Sequence, residues 1–226
     1  MKKLKIYLVI AVVVVLLVSG AFIIRNQGRD NPGILPPESS IQGFTYGEWL
    51  AKWWEYALIL PAEQNPLLGG ESCAIEDHGN VGLLVANSTL DVPIKCEVPA
   101  GKMLFVEVLG AECSDIEEPP FYGGTEEELR VCAQGFVPQD LVAIIDGKEV
   151  KDLARYIFVS PLYEFTNPED NILEVPCGTV GRSIGSGAYL MLSPLNIGKH
   201  TVYLKGTYPD LEYTAEKTLE ITVVTK

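Results

Sequence analysis

Two short acidic segments contain the residue types best suited to binding a metal ion. The segment "NPEDN", residues 167–171, places Glu169, Asp170 and Asn171 in a turn after a proline, and "ECSDIEE", residues 112–118, adds further carboxylates. Calcium prefers such hard oxygen donors, so Glu169, Asp170 and Asn171 form a candidate calcium site, and the sequence predicts no other cofactor. Neither segment has EF-hand spacing. The alternative is that Asp and Asn cap their own turn while the glutamates face water.

The segment "GRSIG", residues 181–185, matches the G-x-S-x-G motif of serine hydrolases. In those enzymes the motif joins a strand to a helix, which exposes the serine at a strained turn. Here a glycine-rich loop enters a strand, so we assign no catalytic role to Ser183. The two histidines, His78 and His200, lack the close spacing of zinc ligands. The sequence therefore predicts no catalytic residue.

Cysteine is present in an odd number, and no Cys-x-x-Cys motif occurs, which argues against a redox motif and the usual zinc knuckle. The five residues are Cys73, Cys96, Cys113, Cys132 and Cys177. The sequence alone does not fix their connectivity. Pairing of chain neighbours is the simplest choice, and it predicts disulfides Cys73–Cys96 and Cys113–Cys132 with Cys177 unpaired.

The N-terminus, residues 1–24, predicts a membrane anchor or a signal segment. Three lysines precede an uncharged apolar run from Ile6 to Ile24, which as a helix would measure roughly 28 Å, close to the thickness of the hydrocarbon core. The lysines hold that end in the cytoplasm, so both interpretations predict export of the rest of the chain. The sequon Asn87-Ser88-Thr89 then makes Asn87 a candidate glycosylation site.

Composition divides the remaining chain into a stalk, residues 25–44, and one domain, residues 45–226. The stalk is rich in Pro, Gly, Ser and Asn and offers little apolar surface to bury. The chain carries a formal net charge of −13 and has no cluster of Lys or Arg after residue 30. A nucleic-acid partner is excluded, because neutralising phosphates requires a basic patch.

All three tryptophans fall in the segment "GEWLAKWWEYALILP", which predicts a helix over Tyr46–Leu60. Thr45 and Glu48 form a capping box at its start. The apolar residues cover about 200° of the helical wheel, which indicates deep burial. We therefore interpret the tryptophans as core residues, with ligand contact by one exposed ring as the alternative.

Strand patterns dominate the rest of the chain. Apolar runs of strand length recur between turn residues, and Asp146-Gly147 is a hairpin signal. The tail alternates apolar and polar residues from Tyr213 to Val223, as a half-buried strand does, and the segment "GKHTVYLKG" should pair with it. A short second helix is predicted after Thr125. The sequence predicts a mainly β fold, an antiparallel β-sandwich of jelly-roll or Ig-like type, with the Trp-rich helix and one short helix packed on it.

Several of these segments resemble an uncharacterised family of exported microbial proteins. The resemblance rests on "YGEWLAKWWEYAL", with its GEWxxxWW helix, and on the PEDN block in "SPLYEFTNPEDNIL", and it covers most of residues 46–224. Four of the cysteines match the family pattern and Cys177 does not, which implies that Cys177 is unpaired. The resemblance implies no catalytic residue and no function.

These observations predict a non-catalytic surface domain, exported and held at the membrane by its N-terminal helix, that binds a glycan, a peptide or a small ligand. A glycan or a cell-surface protein is the expected partner. One alternative is an exported hydrolase with carboxylate or calcium-dependent chemistry. The other is a structural subunit of the cell envelope, in which the final strand would lend an edge to another copy.

Overall fold

The structure is a computed structural model that describes residue 31 and residues 33–69, 72–88 and 92–225. The predicted anchor, residues 1–24, and the start of the predicted stalk lie outside the described residues. Within the described part of the chain, no helix is both long enough and apolar enough to cross a bilayer. The compact unit of the structure begins at Gly33.

Two α-helices form where the sequence predicts them. Helix α1 is Tyr46–Ile59 and helix α2 is Glu126–Gly135. Each begins with a capping box, formed by Thr45 with Glu48 and by Thr125 with Glu128. In each box the threonine oxygen and the glutamate carboxylate satisfy backbone N–H groups that have no partner within the helix. Both helix predictions are therefore confirmed.

Eleven strands and four short 3₁₀ helices make up the other regular structure of the described residues. The strands are β1 Ala74–His78, β2 Val81–Val85, β3 Ile94–Pro99, β4 Met103–Ser114, β5 Gln139–Ile145, β6 Lys148–Glu149, β7 Ile157–Val159, β8 Tyr163–Thr166, β9 Val180–Leu192, β10 Gly198–Tyr208 and β11 Tyr213–Val224. The 3₁₀ helices are Ala62–Gln64, Pro66–Leu68, Leu153–Tyr156 and Pro209–Leu211. The prediction of a mainly β fold is confirmed.

The strands form two sheets, and both sheets are mixed. The first has the order β1-β2-β4-β9-β7, with β8 also paired to β9, and the second has the order β3-β11-β10-β5-β6. The predicted sheets were purely antiparallel, whereas β2 runs parallel to β4 and β3 runs parallel to β11. Strand β3 belongs to the second sheet, so the chain leaves the first sheet after β2 and returns in the same direction at β4. An Ig-like or jelly-roll type stays a prediction.

The C-terminal hairpin follows its sequence pattern closely. Strand β10 pairs with β11 in antiparallel register across the turn at Pro209–Leu211, and the inward residues of β11 alternate with exposed ones. However, β11 lies between β3 and β10, so it is not an edge strand. The sequence could not show this, because its partner β3 lies more than a hundred residues away in the chain.

One charged residue occupies the buried face of β11. The Lys217 Nζ lies 2.8 Å from the Glu107 Oε2 of β4, and the two side chains are only 3% and 5% exposed. Nearby, Leu109 and Ala111 of β4 pack with Tyr208 and Ala215 of the second sheet. The two sheets therefore face each other across an apolar layer that contains one buried ion pair.

The segment 33–44, which the sequence assigned to the stalk, packs against the first sheet. Ile34 and Ile41 are buried, and the backbone N–H of Leu35 donates to the carbonyl of Met191 at 2.9 Å. The hydroxyl of Tyr46 in turn donates to the carbonyl of Leu35 at 2.7 Å. The packed domain therefore begins near Gly33 and not at Thr45. Ile34 and Ile41 pack into the core, although the composition of the segment predicts little buried surface.

The tryptophans of α1 are core residues, as predicted. Trp49, Trp53 and Trp54 are 1%, 0% and 8% exposed. The indole N–H of Trp53 donates to the carbonyl of Leu84 at 2.8 Å, and its ring contacts the ring of Tyr189. Helix α1 thus covers one face of the first sheet while the second sheet covers the other. That arrangement explains why β4 is apolar without alternation.

The predicted disulfides are confirmed. Cys73 pairs with Cys96, and Cys113 pairs with Cys132. The first bond joins the start of β1 to β3, and the second joins the end of β4 to α2. Cys177 is exposed and has no disulfide partner. The two bonds fit an oxidising environment such as the one outside the cytoplasm.

We expect substitution of Trp53 by Ala to lower the free energy of unfolding by ~3–5 kcal/mol, because it removes a fully buried ring and leaves a cavity. Urea denaturation of both proteins measures the change. Glu55→Ala, at an exposed position of the same helix, should change the stability by less than about 0.5 kcal/mol. A Trp53→Ala domain of unchanged stability would contradict the assignment of this ring to the core.

We also expect the unreduced protein to react with a thiol reagent at one position only. Mass spectrometry after alkylation without reductant should find Cys177 labelled and the other four cysteines blocked. Reduction before alkylation should label all five. Labelling of three or more cysteines without reductant would show that the disulfides do not form.

Candidate functional site

A cavity of about 530 Å³ opens at the end of α1. Its walls come from α1, from the second half of β4, from the loop that follows β8 and from the β10–β11 turn. Most of the side chains that line it are apolar or aromatic. They include Trp54, Leu58, Phe121, Leu173, Tyr208 and Tyr213. A volume of this size falls in the range of small-molecule sites.

The position of the cavity follows from the unequal lengths of two strands. The β2–β4 ladder ends with the pair Leu84 and Val106, but β4 continues to Ser114. On that side of β4, the described residues place no strand beyond Val106. Gly110, Ala111 and Glu112 lie in this uncovered stretch and line the cavity.

The carboxyl group of Glu112 is the most unusual polar group at the site. Its side chain is buried and hydrogen-bonded to the Ser183 hydroxyl of the neighbouring strand β9. The Tyr163 hydroxyl donates to the Ser183 Oγ at 2.9 Å, and the Ser183 Oγ lies 2.9 Å from the Cys113 carbonyl oxygen. Burial raises the pKa of Glu112 well above its ordinary value, and the hydrogen bond and the repulsion from Glu117 raise it further. Burial therefore favours the protonated form of the Glu112 carboxyl group.

Glu117 is the second carboxyl group at the site. It is hydrogen-bonded to Glu112, and it accepts a hydrogen bond of 2.8 Å from the Ser114 hydroxyl. Two carboxylates in contact would repel each other strongly, so the pair is stable when it holds one proton between its members. We call Glu112 and Glu117 the carboxyl pair.

Two further polar atoms at the cavity have no hydrogen-bond partner among the described residues. They are the hydroxyl oxygen of Tyr208 and the indole nitrogen of Trp54, whose side chains are 6% and 8% exposed. The Trp54 N–H lies near the Tyr189 hydroxyl and counteracts the rise in the Tyr189 pKa, but no hydrogen bond of good geometry joins them. Burial raises the pKa of Tyr208, so its hydroxyl stays neutral.

The residues of the predicted calcium turn do not converge on the cavity. The Asn171 amide donates to the carbonyls of Pro168 and Val175, and its oxygen accepts from the Val175 N–H. The Asp170 carboxylate accepts from the Glu63 N–H at 3.0 Å. Within the described residues, no group of three or more His, Cys, Asp or Glu side chains is arranged to hold a metal ion. Asp170 and Asn171 thus use side-chain oxygens in hydrogen bonds to backbone N–H groups, and the calcium site at Glu169–Asn171 stays a prediction.

The other acidic segment is divided between two roles. Glu112 and Glu117 line the cavity, whereas the Asp115 carboxylate pairs with the Arg182 guanidinium at 2.8 Å. Ile172 and Leu173, which follow the predicted calcium turn, also line the cavity. The turn therefore shapes the apolar wall and supplies none of its carboxylates.

The remaining candidate residues have structural partners. Ser183 is fully buried inside β9, so it is not a nucleophile elbow, as the sequence indicated. His78 pairs with Glu76, and the His200 ring lies 2.7 Å from the Asp146 carboxylate. Asn87 is only 5% exposed. Glycosylation at Asn87 stays a prediction.

Sequence reasoning missed the carboxyl pair, although one signal for it was present. Glu107 and Glu112 both interrupt the long apolar run of β4. A charged residue in a strand that is buried on both faces needs a partner, because burying an unpaired charge is very unfavourable. Glu107 forms an ion pair with Lys217, whereas Glu112 contacts the Ser183 hydroxyl and Glu117. The spacing of residues along the chain does not reveal which partner each acid meets.

Comparisons with family models, with curated proteins and with solved structures find no match to this chain. The resemblance to a family of exported proteins therefore stays a prediction. The function must be argued from the site itself.

The raised pKa of Glu112 predicts a pH-dependent loss of stability. As the pH rises above 4.5, the ordinary value, the unfolded chain loses this proton while the folded domain keeps it. Unfolding is then increasingly favoured, by up to about 1.4 kcal/mol per pH unit, until the folded pKa is passed. Urea denaturation of the native protein and of Glu112→Gln at pH 5, 6 and 7 isolates this contribution.

We expect the native protein to lose stability relative to Glu112→Gln as the pH rises across this range. Glu118→Gln is the matched control, because Glu118 is exposed and does not line the cavity. Its stability difference from the native protein should not decrease in this way. A constant difference between the native protein and Glu112→Gln would show that Glu112 titrates alike in both states.

Proposed function

We propose that the domain binds a small molecule with a mainly apolar body and a polar group, and that it does not change this molecule chemically. The observation that carries the proposal is the cavity of about 530 Å³, whose apolar walls surround the carboxyl pair. Apolar walls bury the body of a ligand, and a few placed polar groups fix its orientation. The β-sandwich supplies a rigid scaffold, and the disulfides suit an exported protein.

Among the ligands expected from the sequence, the cavity favours a small molecule over a glycan. A glycan platform would present aromatic faces to solvent, but the three tryptophans are at least nine-tenths buried. A role as an envelope subunit has less support, because β11 is paired on both sides. The predicted anchor at residues 1–24 would tether the domain to a membrane.

The carboxyl pair supports hydrolysis as a second candidate function. Paired carboxyl groups that share a proton can act together as a general acid and a general base. Their hydrogen-bond contact does not match the separation of about 5 Å or more found in glycosidases. Hydrolysis of ester and amide substrates, with Glu117→Gln as the inactive variant, tests this alternative.

Binding of N-phenyl-1-naphthylamine, a neutral apolar fluorophore, tests the proposed function. We expect its fluorescence to rise with the native protein and to fall when 1-octanol competes for the cavity. Leu211 lines the cavity, and Leu211→Asp should weaken binding about tenfold by replacing an apolar contact with a charge.

Leu68→Asp provides the matched control. Leu68 is also an exposed leucine in a 3₁₀ helix, but it does not line the cavity. Its variant should bind the fluorophore like the native protein. Equal loss of binding in both variants, or no binding to the native protein, would refute a ligand site in this cavity.

A further inference from the structure

The cavity is acidic and contains no basic residue to balance its acids. Among the described residues that line it, Glu112 and Glu117 are the only charged types. Arg182, on the neighbouring strand β9, is already paired with Asp115 through its Nε at 2.8 Å and through its backbone N–H at 2.8 Å. No basic side chain among the described residues that line the cavity therefore balances the carboxyl pair.

The groups around the carboxyl pair suit a cation that also has an apolar body. Four aromatic side chains line the cavity: Trp54, Phe121, Tyr208 and Tyr213. The faces of aromatic rings attract cations, and acids placed among aromatic rings recognise amines in this way. The Tyr208 hydroxyl oxygen has no partner among the described residues and can accept a hydrogen bond. Hydrogen bonds from an ammonium group to carboxylates are stronger than those between neutral groups.

From these observations we infer that the ligand carries a protonated amine and that this ammonium group binds to Glu112 and Glu117 in place of their shared proton. The inference rests on the proposed function, because it names the chemical class of the ligand for the same cavity. An alkyl or aryl chain on the amine would occupy the apolar walls. The cavity thus selects amphipathic amines over alcohols and carboxylic acids of the same size.

The exchange is balanced in atoms and charge. Before binding, the carboxyl pair holds one proton and carries one negative charge. The amine arrives as R–NH₃⁺ and keeps its three protons, because the pKa of an alkylamine lies near 10. The shared proton leaves to solvent, and the ammonium group donates hydrogen bonds to both carboxylates. One proton is released for each amine bound, so the affinity should rise with pH while the pair still holds its proton.

Other titratable groups face the carboxyl pair from the elements packed around it. On one side are Tyr163 of β8, which has Glu55 of α1 near it, and the Asp115–Arg182 ion pair. Across the cavity are Tyr208 and Tyr213, which both have Glu107 near them. Burial raises the pKa of each of the three tyrosines, so they remain neutral. Glu107 is neutralised by Lys217. The proton released on binding therefore comes from the carboxyl pair.

Isothermal titration calorimetry with three probes of equal chain length tests the inference: octylamine, 1-octanol and octanoate. At pH 7 we expect octylamine to bind at least about tenfold more tightly than 1-octanol, since hydrogen bonds between charged groups are stronger than those between neutral groups. Octanoate should bind more weakly than either. Titrations in phosphate and in Tris, which differ in ionisation enthalpy, should show release of close to one proton per octylamine.

Glu117→Gln and Glu118→Gln form a matched pair of variants, because each removes one acid from the same loop. Glu117→Gln retains an oxygen that accepts from Ser114, so the local fold should persist, and its melting temperature checks this. It should abolish the preference for octylamine and the proton release. Glu118→Gln, at an exposed position outside the cavity, should retain both.

The native protein alone can overturn the inference. Equal affinity for octylamine and 1-octanol, tighter binding of octanoate, or no proton release would each contradict an ammonium site. Binding of 1-octanol in those cases would leave the proposed function intact. Failure of all three probes and of the neutral fluorophore would instead refute the ligand site itself.

Discussion

The packing of α1 on the first sheet is the constraint on which the rest of the structure depends. Trp49 and Trp53 fill the space between helix and sheet, and the second sheet covers the opposite face. Strand β4 is then buried on both faces along nearly its whole length. Any polar group in that strand must be satisfied inside the protein, because water does not reach it. The candidate site is a consequence of this requirement at Glu112.

Strand β4 contains two buried acids that are stabilised in opposite ways. Glu107 meets the Lys217 ammonium across the two sheets, which makes a neutral pair. Glu112 lies five residues later and meets Ser183 and another acid, so it stays stable by holding a proton. The charges of Glu107 and Lys217 balance each other, so this pair requires no further cation. The carboxyl pair lies on the wall of a cavity and can exchange its proton for another cation.

The cavity exists because the covering elements are shorter than the strand they cover. Strand β2 ends its ladder at Val106, and α1 ends at Ile59, so the last part of β4 borders open space. The β10–β11 turn and the segment at Ile172 and Leu173 enclose that space without filling it. The second disulfide ties this end of β4 to α2. A firmly held strand beside an open volume favours a preformed site for a ligand.

The sequence by itself determined the features that depend on neighbours in the chain. Capping boxes act over three residues, alternation marks a half-buried strand, and Asp146-Gly147 allows the positive φ angles of a tight turn. Tertiary structure alone decided the features that depend on distant residues. Strand β3 joins the other sheet between β2 and β4, so these two strands run parallel. Glu112 and Ser183 meet across 71 positions because β4 and β9 are neighbours, and no local pattern encodes that pairing.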